Sequence, residues 1–135
     1  MGLNSVNAQE MVSTVSLTRK TIILEPRNIT PMSITIVPLA SADIKAGTTL
    51  AESSISISGS TITIHRPAAD GETRSGILMT DIAARATVST PPVQADLVGA
   101  VMHKRGTFKS SNIIDEGVQG TLQPETLAMT HAIFK

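Results

Sequence analysis

The sequence predicts a mainly β fold: a compact single β-sandwich or barrel-like domain with an extended N-terminal arm and one short C-terminal helix. Short β-branched runs alternate with turn residues along most of the chain, and residues 122–135 change to a helical period. A length of 135 residues fits one domain. We therefore divide the chain into an arm, residues 1–20, and a single β-rich domain, residues 21–135.

The composition predicts a thin aliphatic core. The chain has no Trp, Tyr or Cys and only two Phe, so Ile, Val, Leu, Met and Ala must fill the interior. These side chains bury less area than aromatic rings, and a thin core favours association with further copies. The formal net charge is zero, which argues against nucleic acid as a partner. The sequence contains no apolar run of membrane-spanning length and no basic region followed by an apolar stretch, so we expect a soluble protein without a membrane partner.

The first strands follow in chain order. The arm is polar up to about residue 10, and "VSTVSLT", residues 12–18, then has the β-branched enrichment of a short strand. Pro26 and Pro31 interrupt regular pairing, after which "MSITIVPL", residues 32–39, alternates as a strand.

"SISISGSTITIH", residues 54–65, is the clearest local pattern and predicts a β-hairpin. Gly59 and Ser60 suit a type II′ turn with glycine at the first central position. That turn would place Ile57 opposite Ile62, and Ile55 opposite Ile64, so that the isoleucines share one face.

Two apolar runs on either side of a Pro-Pro loop predict the buried part of the domain. "GILMTDI", residues 76–82, is almost continuously apolar, and "DLVGAVMHK", residues 96–104, resumes strand character, with Gly99 indicating a bulge or a close backbone approach. We expect these runs to supply the core or a trimer seam through Ile77, Leu78, Ile82, Val98 and Val101.

The tail "LQPETLAMTHAIFK", residues 122–135, predicts the single helix. Pro124 suits a first helical turn, and Glu125 suits the positive end of the helix dipole. Leu127, Ala128 and Ile133 would then share one face.

A search for catalytic motifs indicates no enzyme. His65, His103 and His131 are widely spaced, so we predict no metal site, although folding could still gather them. There is no Gly-x-Ser-x-Gly elbow, and "DEGVQG", residues 115–120, lacks the Lys-Ser/Thr of a phosphate loop. We expect neither catalytic residues nor a cofactor.

Two groups of charged residues remain as polar contact sites. Asp81 lies in an apolar run, where a carboxylate needs a partner, and Arg85 is the nearest one along the chain. Lys104 and Arg105 form a small basic turn, which we interpret as solvated or as the rim of a contact to an acidic partner.

A succession of four elements resembles the bacteriophage head decoration proteins, the small capsid stabilisers of lambda type and their head-fibre relatives. "AGTTLA", "SGILMTDIAARA", "ADLVGAVMHKRGTFKSSNI" and "ETLAMTHAIFK" follow in the order of that family's elements. The chain departs from the family pattern at His103, Lys104 and Arg105 before Gly106, and in its longer hairpin at residues 53–64.

The resemblance implies a function on the virus shell. It implies that the protein is made in the host cytoplasm and forms a homotrimer on the exterior of the virion, at quasi-threefold positions of the expanded capsid. The N-terminal segment would contact the major capsid protein, and Val12, Val15 and Leu17 are the residues we expect to pair with it.

Two other functions stay open from the sequence. A β domain of this kind could be displayed on the virion surface and bind a receptor of the host, because an exposed apolar patch can contact either a capsid protein or a receptor. A trimeric β nucleotidohydrolase of the dUTPase kind is the enzyme alternative, and the lack of any Tyr disfavours it.

Overall fold

The computed structural model describes residues 22–25, 31–120 and 132–135, and within them the fold is mainly β, as predicted. The described strands are β1 (Ile23–Glu25), β2 (Pro31–Ile36), β3 (Thr49–Ile57), β4 (Ser60–Pro67), β5 (Gly76–Leu78), β6 (Val98–His103), β7 (Gly106–Phe108), β8 (Ile114–Asp115), β9 (Val118–Gln119) and β10 (Ala132–Phe134). Two short 3₁₀ helices span Gln94–Asp96 and Ser110–Asn112. The arm, residues 1–20, lies outside the described residues.

Five strands close into a small barrel in the order β2-β4-β3-β5-β6. The longest ladder joins β3 to β4, and a regular antiparallel ladder joins β2 to β6 from Pro31 opposite His103 to Ile36 opposite Val98. Closure pairs the strand edges that an open sheet would expose. The barrel interior is aliphatic and contains Ile34, Ile36, Ile44, Leu50, Leu78, Ile82, Ala100 and Met102.

A second core lies outside the barrel, beneath a three-stranded sheet of order β1-β7-β10. Phe108 is fully buried there, and its ring stacks on Phe134 with centroids 5.4 Å apart. Ile77 and Leu78 are neighbours in β5, so their side chains point to opposite faces and enter different cores. This explains why the run around β5 is continuously apolar, as a strand buried on both faces must be.

The β3–β4 hairpin forms, but its predicted turn is wrong. Ser58 and Gly59, not Gly59 and Ser60, occupy the two central positions, with φ of 50° and 81°. Positive φ at both positions is what a type I′ turn requires, and this turn matches the twist of the strands. The pairing moves by two residues, so that Ile55 faces Ile62 and Ile57 faces Ser60. A shift of two keeps all the isoleucines on one face, which is why the alternation could not distinguish the two registers.

The predicted C-terminal helix is not confirmed at its described end. Ala132–Phe134 forms the strand β10, which pairs in parallel with β7. This pairing satisfies the backbone of the last residues and brings Phe134 onto the second core. Ile133 consequently faces outward and is 53% exposed. Leu127 and Ala128 lie outside the described residues.

A buried ion pair ties the loop before β5 to the hairpin of β8 and β9. Arg74 is fully buried, and its Nε and Nη2 donate to Oδ1 and Oδ2 of Asp115 at 2.9 and 3.0 Å. The hydroxyl of Thr49 also donates to Asp115 Oδ1, at 2.6 Å. Glu116 lies 3.2 Å from Arg74 Nη2, and the carbonyl of Glu72 accepts from Nη1 at 2.5 Å. Hydrogen bonding to Asp115 raises the pKa of Arg74 further above its usual value, so the guanidinium stays charged at neutral pH.

We expect Arg74→Met to destabilise the fold by about 3–5 kcal/mol, because it leaves the buried carboxylate of Asp115 without its cationic partner. The measurement is the free energy of unfolding in urea. Arg66→Met is the matched control: Arg66 pairs with Glu72, but both side chains are partly exposed, so its loss should cost at most about 1 kcal/mol. The double variant Arg74→Met, Asp115→Leu should recover much of the loss, and equal costs for the two single variants would contradict this account.

Candidate functional site

An open groove of about 620 Å³ runs along the outside of the barrel beside β6. We call it the large groove; its lining comprises residues 33–34, Pro38, residues 80–85 and residues 98–101. Its volume lies in the range of small-molecule and peptide pockets.

The wall of the large groove is the segment that follows β5. Ile82 and Ile44 exchange two backbone hydrogen bonds, each of 2.8 Å, which fix this segment against residues 43–44. The carboxylate of Asp43 accepts from the N–H of Ala84 at 2.8 Å, and the N–H of Arg85 donates to the carbonyl of Leu39 at 2.9 Å. These bonds fix the groove wall to the segment of residues 39–44.

The part of β6 that lines the large groove includes two half-buried valines, Val98 and Val101, with the exposed Gly99 between them. Val98 packs against the barrel core and Val101 against the second core, so their side chains point to opposite faces of the strand. The sequence predicted a bulge or a close backbone approach at Gly99, and neither occurs: Gly99 pairs regularly with Thr35, and the space beside it is open.

The predicted core and seam residues separate into two groups. Ile77 and Leu78 are fully buried in the two cores, whereas Val98 and Val101 line the large groove. Ile82 takes part in both, because its side chain is buried in the barrel core and its segment forms the groove wall.

Asp81 and Arg85 both line the large groove, but each bonds to a backbone group and not to the other side chain. Asp81 Oδ1 accepts from the N–H of Ala46 at 2.7 Å, and Arg85 Nη1 donates to the carbonyl of Ala95 at 2.7 Å. Their predicted pairing is therefore wrong. Both side chains are exposed, so a solvated carboxylate and a solvated guanidinium border an apolar surface.

A second groove of about 370 Å³, the small groove, meets the large one at Asp81. It is lined by Ile22, Lys45, Ala46, Asp81, Asn112, Ile114 and Gln119. Ile22 is the first described residue of the chain. Asp81 is the one residue that lines both grooves.

The basic turn lies between β6 and β7, where Lys104 is half-buried and Arg105 is exposed. It lines neither groove, and it approaches His65 in β4. Burial is the main cause that lowers the pKa of His65; Glu52 on the neighbouring strand partly opposes it, and Lys104 lowers the pKa by a smaller amount. His65 is 6% exposed, so its imidazole is held in the neutral form near neutral pH.

The three arm residues that we expect to contact the capsid protein, Val12, Val15 and Leu17, lie outside the described residues. Within residues 22–25, 31–120 and 132–135, no group of three or more His, Asp or Glu is placed to hold a metal ion. In the same part of the chain, no helix has the length and apolar character needed to cross a membrane.

Comparisons with protein-family models, curated proteins and solved structures find no match for this chain.

We expect the free energy of unfolding to decrease as the pH falls from about 7 to about 5, because of His65. Its pKa in the folded protein is below the usual 6.5, so the unfolded chain takes up a proton first. The contribution of His65 is therefore complete above 6.5 and is lost as the pH falls toward the lower, folded value. Hydrogen bonds keep the pKa values of Asp96 and Glu72 below their usual ranges, so these carboxylates titrate at lower pH.

His65→Gln should flatten this dependence, by at most about 1.4 kcal/mol per pH unit, as measured by urea denaturation at each pH. His131→Gln is the comparison, since it removes a different histidine. An equal flattening by both variants would show that the effect does not come from the barrel site.

Proposed function

We propose that this chain is a structural virion protein that binds the outer surface of an expanded phage capsid at quasi-threefold positions as a homotrimer and stabilises the shell. The major capsid protein is its partner, and the function requires neither catalysis nor a cofactor. The observation that carries the proposal is the edge strand β1, which directly follows the arm.

The edges of β1 and β10 support this contact. Within the described residues, β1 pairs only with β7, and so does β10, so each has one open edge. Leu24 in β1 is 47% exposed. An open edge with an exposed apolar side chain is suited to pairing with a strand of another protein. The arm is continuous with this edge, so both can contact the same partner.

The placement of the resembling elements also supports the proposal. "AGTTLA" leads into β3, "SGILMTDIAARA" contains β5, and "ADLVGAVMHKRGTFKSSNI" contains β6 and β7. These elements are far apart along the chain, yet β3, β5 and β6 are consecutive strands of the barrel. The resemblance therefore follows one connected part of the fold.

The aliphatic cores favour clustering on the shell. Both Phe residues belong to the second core, and the hydrophobic cluster of the barrel consists of Ile, Leu and Ala side chains with Met102. Separate contacts of small area become stable when a shell holds several copies together, since each copy raises the effective concentration of the next.

Purified protein should co-sediment with expanded capsid shells that lack it, and binding should saturate near one copy per capsid subunit. Unexpanded shells of the same virus are the control and should bind less, because the quasi-threefold positions differ. Absence of binding to both shells would overturn the proposal and would favour the receptor-binding function instead.

Leu24→Ser should weaken binding to expanded shells about tenfold or more, since a leucine that becomes buried contributes about 1.5–3 kcal/mol. Val93→Ser is the matched control: Val93 is equally exposed, at 48% against 47%, but lies in the Pro-Pro loop. Binding curves from sedimentation measure both. Equal affinities for the two variants would exclude the β1 edge from the interface.

A further inference from the structure

The large groove lies along an edge of β6 and faces the groove wall, residues 80–85. Its lining includes four consecutive residues of β6, 98–101, and all six residues of the wall. A groove on one face of a strand is lined by alternate residues, because successive side chains point to opposite faces. A lining of consecutive residues therefore indicates a gap between two edges, with the backbone of each segment toward it.

The gap begins where β5 ends. Leu78 lies opposite Met102, and the N–H of Met79 then donates to the carbonyl of Val101 at 2.9 Å. Within the described residues, this is the last backbone hydrogen bond between β6 and the segment that follows β5. Beyond it, residues 98–100 pair with β2 on one side and border the large groove on the other.

Gly99 directs its backbone toward this gap. The bond from Met79 shows that the carbonyl of Val101 points to the side of β5, and the backbone groups of a strand point to the same side at every second residue. The N–H and the carbonyl of Gly99 therefore face the large groove. Gly99 is exposed, and apart from its chain neighbours no atom lies within 4 Å of the point where a side chain would begin.

The wall presents the backbone of Ala83 in the same way. The N–H of Ile82 donates to the carbonyl of Ile44, and the N–H of Ala84 donates to the carboxylate of Asp43, each at 2.8 Å. Neither acceptor residue lines the large groove, so these two bonds point away from it. Ala83 lies between the two donors and is exposed, and its N–H points to the opposite side, toward the groove.

We propose that the large groove binds an extended peptide segment of a partner protein, which inserts as a strand between β6 and the groove wall. The peptide backbone pairs with Gly99 on one side and with Ala83 on the other. The inference goes beyond the capsid contact, because it uses neither the β1 edge nor the arm and does not depend on the proposed function.

A polypeptide backbone is the ligand that fits two facing strand edges. A strand edge repeats its N–H and carbonyl groups at every second residue, about 7 Å apart, and an extended peptide carries complementary groups at the same interval along both of its sides. The wall does not close the gap itself, because the bonds of Ile82 and Ala84 hold it to residues 43–44. An inserted strand therefore gives both edges a hydrogen-bonding partner.

The groove also favours particular side chains in the peptide. Val98 and Ala100 belong to the barrel side of β6, and Ile82 in the wall is buried in the same core. Alternate side chains of an inserted strand would meet this apolar side. Residues with β-branched apolar side chains suit these positions, because they also favour the extended backbone.

Asp81 favours a cation at one end of the peptide. Its side chain is exposed and lines the groove, and Oδ1 accepts from the N–H of Ala46, so the second oxygen can accept from an external donor. Within the described residues, Asp81 forms no salt bridge. Arg85, at the other end of the wall, already has Asp96 as an electrostatic neighbour. A lysine or arginine of the peptide beside Asp81 would therefore add a charge-assisted hydrogen bond.

Amide hydrogen exchange of the free, isotope-labelled full chain tests the open edges. The N–H groups of Gly99 and Ala83 should exchange at least about tenfold faster than those of Ala100 and Ile82, which are bonded within the fold. Slow exchange at Gly99 and Ala83 at every protein concentration would show that the edges are already paired within the chain, and would overturn the inference. Protection that rises with protein concentration would instead assign the groove to a second copy.

The probe for the ligand is the blocked hexapeptide acetyl-Lys-Val-Thr-Val-Thr-Val-amide, which has valines at alternate positions and a lysine for Asp81. At millimolar concentration it should shift the amide signals of Gly99 and Ala83 saturably, and at saturation it should slow their exchange at least about tenfold. The control is the same peptide with every second backbone nitrogen methylated. This peptide lacks the N–H groups on one side and should bind at least about tenfold more weakly.

Two results with the peptides would overturn the inference. Equal binding of the two peptides would show contact through side chains without strand insertion. Unchanged signals of Gly99 and Ala83 at millimolar peptide would show that the groove does not accept a strand. No capsid shell is present in these experiments, so either result leaves the capsid-binding experiment unaffected.

Asp81→Asn tests the charge contact, since it retains an oxygen for the Ala46 N–H but removes the charge. It should weaken binding of the lysine peptide severalfold and leave unchanged the binding of a peptide with glutamine in place of lysine. Asp70→Asn is the matched control, because Asp70 is an exposed carboxylate between β4 and β5 that lines neither groove. Equal effects of the two variants would overturn the assignment of Asp81.

Discussion

The rest of the structure depends on the burial of β5 on both faces. The chain has two Phe and no Trp or Tyr, and it forms two aliphatic-rich cores that share one strand. Ile77 belongs to the outer core and Leu78 to the barrel, and both are fully buried. β5 also has a neighbour on each edge, β3 and β6, so it is covered on both faces and paired on both sides.

The ion pair of Arg74 and Asp115 extends this arrangement along the chain. Arg74 lies just before β5, and Asp115 ends β8, so the pair fixes the start of the shared strand against a hairpin that is distant in sequence. The Thr49 hydroxyl bonds to the same carboxylate from β3, the strand that pairs with β5. A buried pair of this kind stabilises one arrangement specifically, because every displaced alternative leaves a charge without a partner.

The sequence predicts the strands and the hairpin that short-range periodicity marks. It predicts few of the pairings and hydrogen bonds that join residues distant along the chain. Alternation identified the β3–β4 hairpin and the strands β2 and β6, and continuous hydrophobicity identified β5 as buried. The turn at Ser58 and Gly59 could not be chosen from the pattern, since both registers keep the isoleucines on one face. Asp81 bonds to Ala46, 35 residues away, and not to Arg85, which is near it in sequence. Likewise, β10 is a strand because β7 supplies a partner, which no local preference reveals. Of the candidate site, Ile82, Val98, Val101, Asp81 and Arg85 were identified from the sequence, whereas the groove that unites them was not.

The layout of the two cores also determines where another strand can bind. The barrel is closed, so the described strands with a whole edge open belong to the outer sheet, at β1 and β10, and to the short β8–β9 hairpin. The chain enters the fold at Ile22, between that sheet and the small groove. The β1 edge and the small groove therefore both lie beside Ile22. Because each strand of the barrel has another strand on either side, a strand of a partner can pair with the outer sheet without breaking a ladder of the barrel.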